Sequence, residues 1–319
     1  MSTKILERLL KDPGIKELIE RLGEQISSSD LQSVLLEIAR RRSLKVKPPD
    51  LLREFQENRF LKPSDLTQLD FNQLDRIVYD CLPDGFSPIE LSPVAPFGSS
   101  SSVSNLNQNL AVSTVRHSEV VSDPTNVMAI EAAIRRKEFL ESDPKSSTPI
   151  KLSTSHRLLR GQAFDNEKFT AHFRVFSLVT AGRDTGNLGF ELEHLEEHIR
   201  YYLKLSRKLG IITGTEMSLS DFTGSINTGL FDPMLNKLKN EFSETSFGWD
   251  MQRQQAKNYY SPIAFRIRYY DGEQRGWDLV DGGFTDWTCK YLNNKKERFL
   301  GSAIGTELLL RVFPECNQK

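Results

Sequence analysis

The spacing of apolar residues predicts helices over the first quarter of the chain. Apolar side chains recur every three or four positions over residues 5–19 and again over residues 31–38, which is the spacing of one helical face. Ser28-Ser29-Asp30 can cap the second of these helices, and Pro48-Pro49 interrupts the chain before the next. We therefore predict a helical N-terminal domain over residues 1–82.

From residue 85 onward, strand-like runs alternate with long amphipathic segments. Two runs rich in β-branched and aromatic residues predict core strands at residues 169–180 and 261–270. Two amphipathic segments predict long helices at residues 125–140 and 190–209. A further run at 277–280 predicts a hairpin across Asp271-Gly272, and the serine-rich residues 98–106 predict a loop. The pattern predicts an α+β domain over residues 83–319, with an antiparallel-rich sheet and helices on one face.

Composition and charge narrow the functional classes. The net charge of −1 offers no global attraction for nucleic acid or membranes, and no run of 18 apolar residues occurs in the sequence. The N-terminal residues are charged throughout and lack the apolar stretch of a secretory signal. Three scattered cysteines favour a reducing compartment. We expect a cytoplasmic protein with no membrane partner.

Three short stretches near the C-terminus carry a family resemblance. Residues 258–265 (NYYSPIAF) are similar to the histidyl signature D-Y-Y-T-G-x-x-F. Residues 281–286 (DGGFTD) resemble G-G-R-Y-D, and residues 301–310 (GSAIGTELLL) resemble G-F-A-I-G-L-E-R-L-L. These three matches stand in the correct order within about 55 residues. Residues 83–319 therefore resemble the catalytic core of class II aminoacyl-tRNA synthetases, nearest the histidyl branch and its paralogue, the ATP phosphoribosyltransferase regulatory subunit.

A fourth stretch resembles the second class II motif. Arg160 and Gln162 precede a loop that leads to Phe173. The resemblance implies that Arg160 grips the ATP α-phosphate, as the catalytic arginine if the protein is active, and that Phe173 stacks on adenine. An arginine fork suits phosphate because it offers paired donors and a permanent charge. Gln162 replaces the usual glutamate. The alternative is a surface arginine and a core phenylalanine.

The resemblance also implies a substrate site and a nucleotide site. Asp123 and Thr125 match the acid and threonine of R-P-E-G-T, which hold the α-amino group of the substrate; the alternative is helix capping. Further substrate contacts would come from Tyr259, Tyr260, Gly282 and Gly283, and further nucleotide contacts from Gly305 and Glu307. ATP and magnesium are thus possible cofactors, with Glu307 as the candidate magnesium ligand. Residues 85–93 resemble the first class II motif, which implies a homodimer.

Several departures from the family pattern argue against amino-acid activation. Leu308 stands where the family has the arginine that holds the ATP γ-phosphate, although Arg311 follows three residues later. Gln255 replaces the signature arginine. Losing one such fixed cation commonly costs an adenylating enzyme several kcal/mol of barrier. Val175 and Val179 stand at the positions that read imidazole, so histidine is not the expected ligand.

Two hypotheses of different classes follow. The first is a non-catalytic or regulatory protein that binds a small molecule, a nucleotide or an amino acid, and engages a protein partner through its N-terminal helices. The second is an ATP-dependent ligase that adenylates a carboxylate for a non-tRNA acceptor. The chain ends soon after the third class II motif, so we expect no anticodon domain and no tRNA charging. His194 and His198 stand one turn apart; they suit either a metal pair without an evident third ligand or a solvated helix face.

Overall fold

The computed structural model describes residues 3–104, 106–162, 168–211 and 214–318. Five helices open the chain: α1 (Thr3–Leu9), α2 (Pro13–Glu20), α3 (Ser28–Ser43), α4 (Pro48–Glu57) and α5 (Gln68–Asp80), with a π-helical turn at Arg21–Gln25. Ser27 caps α3 through its hydroxyl, and Thr67 with Asp70 forms a capping box at the start of α5.

Six residues separate α5 from the first strand, and from there strands and helices alternate in the chain. They are β1 (Ser87–Pro88), β2 (Val94–Pro96), α6 (Ser99–Ser104), β3 (Ser118–Val120), α7 (Pro124–Ser142), β4 (Ile150–Leu159), β5 (His172–Arg183), α8 (Gly189–Leu209), β6 (Thr215–Asp221), α9 (Asp232–Glu241), β7 (Thr245–Trp249), β8 (Ile263–Tyr270), β9 (Gly276–Thr285), α10 (Trp287–Leu292), β10 (Glu297–Ile304) and α11 (Thr306–Val312). Short 3-10 turns occur at Gln108–Leu110, Thr228–Phe231 and Pro314–Gln318.

Strand β1 and strands β4 to β10 form one eight-stranded sheet in the order β1-β4-β5-β10-β9-β8-β6-β7. Strands β2 and β3 pair with each other in a separate two-stranded sheet. Neighbours are antiparallel except that β1 runs parallel to β4 and β6 runs parallel to β7. The predicted α+β fold with an antiparallel-rich sheet is confirmed. The predicted hairpin is also confirmed, because β8 and β9 are antiparallel neighbours.

Helices cover both faces of the sheet, and not one face as the sequence pattern predicts. On β5, Phe176 and Leu178 belong to the main core with α5, α8 and α9, whereas Val179 and Ala181 belong to a second cluster under α7 and α10. Residues 99–104 of the serine-rich stretch form a helix, α6, and not the predicted loop. Its Val103 is buried, which gives the helix an apolar anchor.

The N-terminal helices differ in how they are held. The described side chains of α1–α4 are all exposed or half-exposed, whereas α5 buries Phe71, Leu74 and Val78 in the main core. The boundary predicted at residue 82 stays a prediction, although packing groups α5 with the sheet. Among the described residues, no helix is long and apolar enough to cross a membrane.

Candidate functional site

A cavity of about 630 Å³ lies where the start of α7, strands β5, β9 and β10, and helix α11 converge. Eight of the sequence-predicted site residues line it: Asp123, Thr125, Arg160, Gln162, Phe173, Tyr259, Tyr260 and Gly305. The structure thus brings together residues that lie up to 182 positions apart, from Asp123 to Gly305. Three predicted residues are not part of the lining: Gly282, Gly283 and Glu307.

Asp123 anchors one end of the cavity. Its Oδ1 accepts hydrogen bonds from the Thr125 backbone N–H at 2.9 Å and the Thr125 hydroxyl at 2.7 Å, so it caps α7 as the alternative interpretation requires. Its Oδ2 accepts a 2.6 Å bond from the Tyr259 hydroxyl. Burial raises the pKa of Tyr259 well above its ordinary value, and the neighbouring Asp123 charge adds to this, so Tyr259 stays a protonated donor. Asp123 therefore both caps the helix and presents a carboxylate edge to the cavity.

Arg160 and Phe173 lie beside this carboxylate. The Nε of Arg160 donates to the Ser122 carbonyl at 2.8 Å, which fixes the direction of the side chain. One terminal nitrogen lies 3.8 Å from Asp123 Oδ2, and the guanidinium carbon lies 5.5 Å from the centre of the Phe173 ring. The arginine is about one third exposed. A cation and an anion thus stand side by side at one end of a largely apolar cavity.

Glu307 lies behind the cavity wall and is fully buried. Its carboxylate pairs with Arg157 and with Arg311, each at 2.9 Å. It also accepts hydrogen bonds from the Ser64 hydroxyl at 2.6 Å and the Arg174 backbone N–H at 3.0 Å. Four donors and two positive charges leave this carboxylate unsuited to magnesium, which needs open oxygen ligands. No group of three or more His, Cys, Asp or Glu side chains among the described residues could hold a metal ion.

Gly282 and Gly283 act through strand packing. A Cβ added at Gly282 would lie 2.5 Å from both Phe265 Cε1 and Ser302 Cβ. A Cβ at Gly283 would lie 2.7 Å from the Tyr260 ring and 2.8 Å from the Ile263 carbonyl oxygen. These distances are too short for any side chain. The glycines therefore seat Tyr260 against the sheet and do not reach the cavity themselves.

At the two positions where the family pattern has an arginine, uncharged side chains form the cavity wall. Leu308 and Gln255 both line the cavity. Arg311 lines it too, but its guanidinium already bonds Asp65, Glu307, the Thr170 hydroxyl and the carbonyl of residue 168. Arg311 thus stands near the position of the absent arginine with its donors already engaged.

Arg253, which no motif match predicts, holds a carboxylate that lines the cavity. Its Nη2 bonds both oxygens of Asp281 at 2.8 and 2.9 Å, and its Nε bonds the Gln255 carbonyl at 3.1 Å. Asp281 faces the cavity; burial raises the pKa of Asp281, although the Arg253 guanidinium opposes that shift. Arg253 lies two residues before the expected position, so a comparison that holds the motif register fixed cannot find it.

Two valines and two histidines that the sequence singles out lie in different environments. Val175 lines the cavity, whereas Val179 packs in the second hydrophobic cluster. His194 and His198 lie on the buried face of α8, so the expectation of a solvated helix face is wrong. His198 bridges the hydroxyls of Thr180 at 3.0 Å and Ser302 at 2.8 Å.

Comparison with known proteins identifies the fold. No family model and no curated protein matches the chain. A solved histidyl-tRNA synthetase from S. aureus aligns at a TM-score of 0.54 and 15% identity, over 78% of this chain and 65% of that one. An ATP phosphoribosyltransferase regulatory subunit/histidyl-tRNA synthetase from Bacillus halodurans aligns at 0.54 and 13%, over 80% and 82%. A histidine–tRNA ligase subunit from Alicyclobacillus acidocaldarius aligns at 0.57 and 10%, over 81% and 96%.

These alignments confirm the resemblance at the level of fold: the chain has a class II synthetase-like architecture. The chain spans 65% of the S. aureus enzyme. At 10 to 15% identity, the activities named for these proteins remain theirs.

Proposed function

We propose that this chain is a non-catalytic or regulatory relative of histidyl-tRNA synthetase that binds a small molecule with an ammonium group next to an anionic group. An amino acid, free or joined to a nucleotide, has this chemistry. The observation that carries the proposal is the pairing of Asp123 with Arg160 at 3.8 Å inside the cavity.

The ammonium would lie against Asp123, Thr125 and Tyr259. The carboxylate of Asp123 is held by two hydrogen bonds from Thr125 and one from Tyr259, so its orientation is set before a ligand arrives. A carboxylate with such support binds an ammonium by a charge-assisted hydrogen bond. Arg160, fixed through Ser122, would take the carboxylate or phosphate of the same molecule.

The rest of the ligand would contact apolar side chains. Leu158, Val175 and Leu279 line the cavity. Such walls cannot satisfy a buried polar side chain, so the ligand is expected to carry an apolar one, and imidazole is disfavoured.

The residues at the expected nucleotide site favour a non-catalytic role. Leu308 and Gln255 replace the two cations that the family uses, and Glu307 is enclosed by its own partners. Charge that develops on transferring phosphates needs fixed positive groups. We therefore include no adenylation step in the proposal.

Titration calorimetry tests the ligand site directly, with a panel of amino acids and with ATP in the presence and absence of magnesium. Asp123→Asn is the informative variant because asparagine remains a good helix N-cap while the charge is lost. Loss of one charge-assisted bond should weaken binding roughly 10- to 100-fold. Asp143→Asn, an exposed aspartate at the other end of α7, serves as the matched control. Equal affinity in wild type and Asp123→Asn would refute the site.

An ATP-dependent ligase is the second candidate function, and one observation favours it. Arg160 lies over Phe173 within the same cavity as Asp123, which is the arrangement the resemblance assigns to ATP. A pyrophosphate-exchange assay over the same panel separates the two functions. Exchange that depends on Arg160 would replace the regulatory proposal with the ligase.

Two interaction partners belong to the same proposal. Residues 85–93 would form a homodimer contact, and the N-terminal helices would engage a protein. Helix α4 exposes Leu51, Leu52 and Phe55 by 59%, 64% and 49%, which is more apolar surface than a solvated helix needs. Light scattering tests the dimer, and a monomer at micromolar concentration would contradict it.

A further inference from the structure

A short segment between α4 and α5 crosses from the N-terminal helices to the cavity; we call residues 59–66 the strap. The guanidinium of Arg59 donates to the carbonyls of Gly161 and Gln162 at 2.7 and 3.0 Å. The Lys62 carbonyl lies 2.6 Å from Nε2 of His172. Gln162 is itself part of the cavity lining, so the strap is attached to the cavity rim.

The second half of the strap places an anion on a cavity cation. Asp65 Oδ1 accepts hydrogen bonds from Nε and Nη2 of Arg311 at 3.1 and 2.5 Å. The side chain of Arg311 is 9% exposed, whereas that of Asp65 is 71% exposed. Asp65 can thus leave for water at little cost, while Arg311 stays in the cavity wall.

Ser64 strengthens the same attachment. Its hydroxyl donates to Glu307 at 2.6 Å, and Glu307 in turn pairs with Arg311 at 2.9 Å. The strap therefore contacts both charged members of α11. These two residues lie more than 240 positions away in the chain, so the contact links the N-terminal helices to the cavity and not merely to their neighbours in sequence.

We propose that the strap is an autoinhibitory contact in which Asp65 occupies Arg311 as an internal anion, and that a phosphate group of the cavity ligand displaces it. The proposal rests on the proposed function in requiring a ligand in this cavity, and it adds the regulation of that site. Phosphate is the competing group because the forked donors of Arg311 suit it, and Arg160 adds a second cation to the same cavity. Displacement removes the Asp65 contact and so loosens the strap, which together with the hydrogen bond between His117 and the Ser28 carbonyl ties α1–α4 to the core.

Calorimetry with tripolyphosphate, alone and in comparison with ATP, tests the competition in the full-length chain. An ion pair whose carboxylate is largely exposed contributes little, so Asp65→Asn should bind tripolyphosphate roughly two- to five-fold tighter than wild type. Ser64→Ala should shift affinity in the same direction. Asp84→Asn is the matched control because Asp84 is exposed and its side chain forms no ion pair or hydrogen bond among the described residues. The affinity of this variant should equal that of wild type.

Limited trypsin digestion provides a ligand-independent measure of the strap. Cleavage after Arg59 should be faster in Asp65→Asn than in wild type, and tripolyphosphate should accelerate it in wild type. Melting temperatures establish that each variant is folded. If Asp65→Asn does not fold, the cleavage rate after Arg59 is measured in Ser64→Ala instead.

Unchanged or weaker tripolyphosphate binding by both strap variants would overturn the inference, as would a failure of every variant to bind the probe. Amino-acid binding that depends on Asp123, together with tripolyphosphate binding that is equal in Asp65→Asn and wild type, would leave the proposed function standing and remove the strap. Tighter tripolyphosphate binding in Asp65→Asn without any amino-acid or ATP binding would do the reverse.

Discussion

The substitution Glu307→Gln keeps the shape of a fully buried side chain and removes its charge. Glu307 holds Arg157 and Arg311 at 2.9 Å each, and removing one partner of a buried ion pair costs about 3–5 kcal/mol. Arg157 is 35% exposed and can regain water, and Arg311 keeps Asp65. We therefore expect the lower end of the range, about 3 kcal/mol, which corresponds to a fall in melting temperature of roughly 6–12 °C for a unit of this size.

Differential scanning fluorimetry measures this change, with Glu315→Gln as a control at an exposed glutamate on the same C-terminal segment. The control should melt within about 1 °C of wild type. The reasoning is refuted if Glu307→Gln melts like wild type but loses a magnesium-dependent component of ATP binding. That result would make Glu307 a metal ligand rather than the centre of an ion-pair network.

Two further predictions concern the sheet and the buried face of α8. Burial lowers the pKa of His198 to about 3; the unfolded chain binds this proton near pH 6.5, so stability should fall as pH drops from about 6.5 toward 3, by up to about 1.4 kcal/mol per unit. In urea titrations over this range, His198→Gln should show a shallower loss than wild type; an identical slope would contradict the assignment. Gly282→Ala would force a Cβ to 2.5 Å from Phe265 and Ser302 and should cost about 1–3 kcal/mol, whereas Gly272→Ala, with open space around it, should be neutral in the same assay.

Short sequence motifs predict the place of some cavity residues but not the surroundings of others. Asp123 and Tyr259 are identifiable from short motifs because each motif fixes the local backbone that presents the side chain, and the structure brings the two within 2.6 Å. Glu307 has an equally good motif match, but it is buried behind the cavity wall and does not line the cavity. Its partners Ser64, Arg157 and Arg174 come from segments more than 130 residues away, and no local spacing encodes their approach.

Arg253 illustrates the same limit. A motif comparison places a cation only at a fixed offset, and position 255 holds glutamine. In the folded chain the guanidinium two residues earlier reaches Asp281 at 2.8 Å. A long flexible side chain can cover several ångströms, so proximity in space replaces register in sequence.

By itself, the sequence determined the type and order of the main elements, the antiparallel character of the sheet and eight of the residues that line the cavity, because apolar periodicity and short motifs act within a few residues. Only the tertiary structure decided that helices cover both faces, that Glu307 is enclosed and that Asp65 is seated on Arg311. These features arise where segments distant in the chain pack together, and the energies of burial and ion pairing that select them depend on all the contributing segments at once.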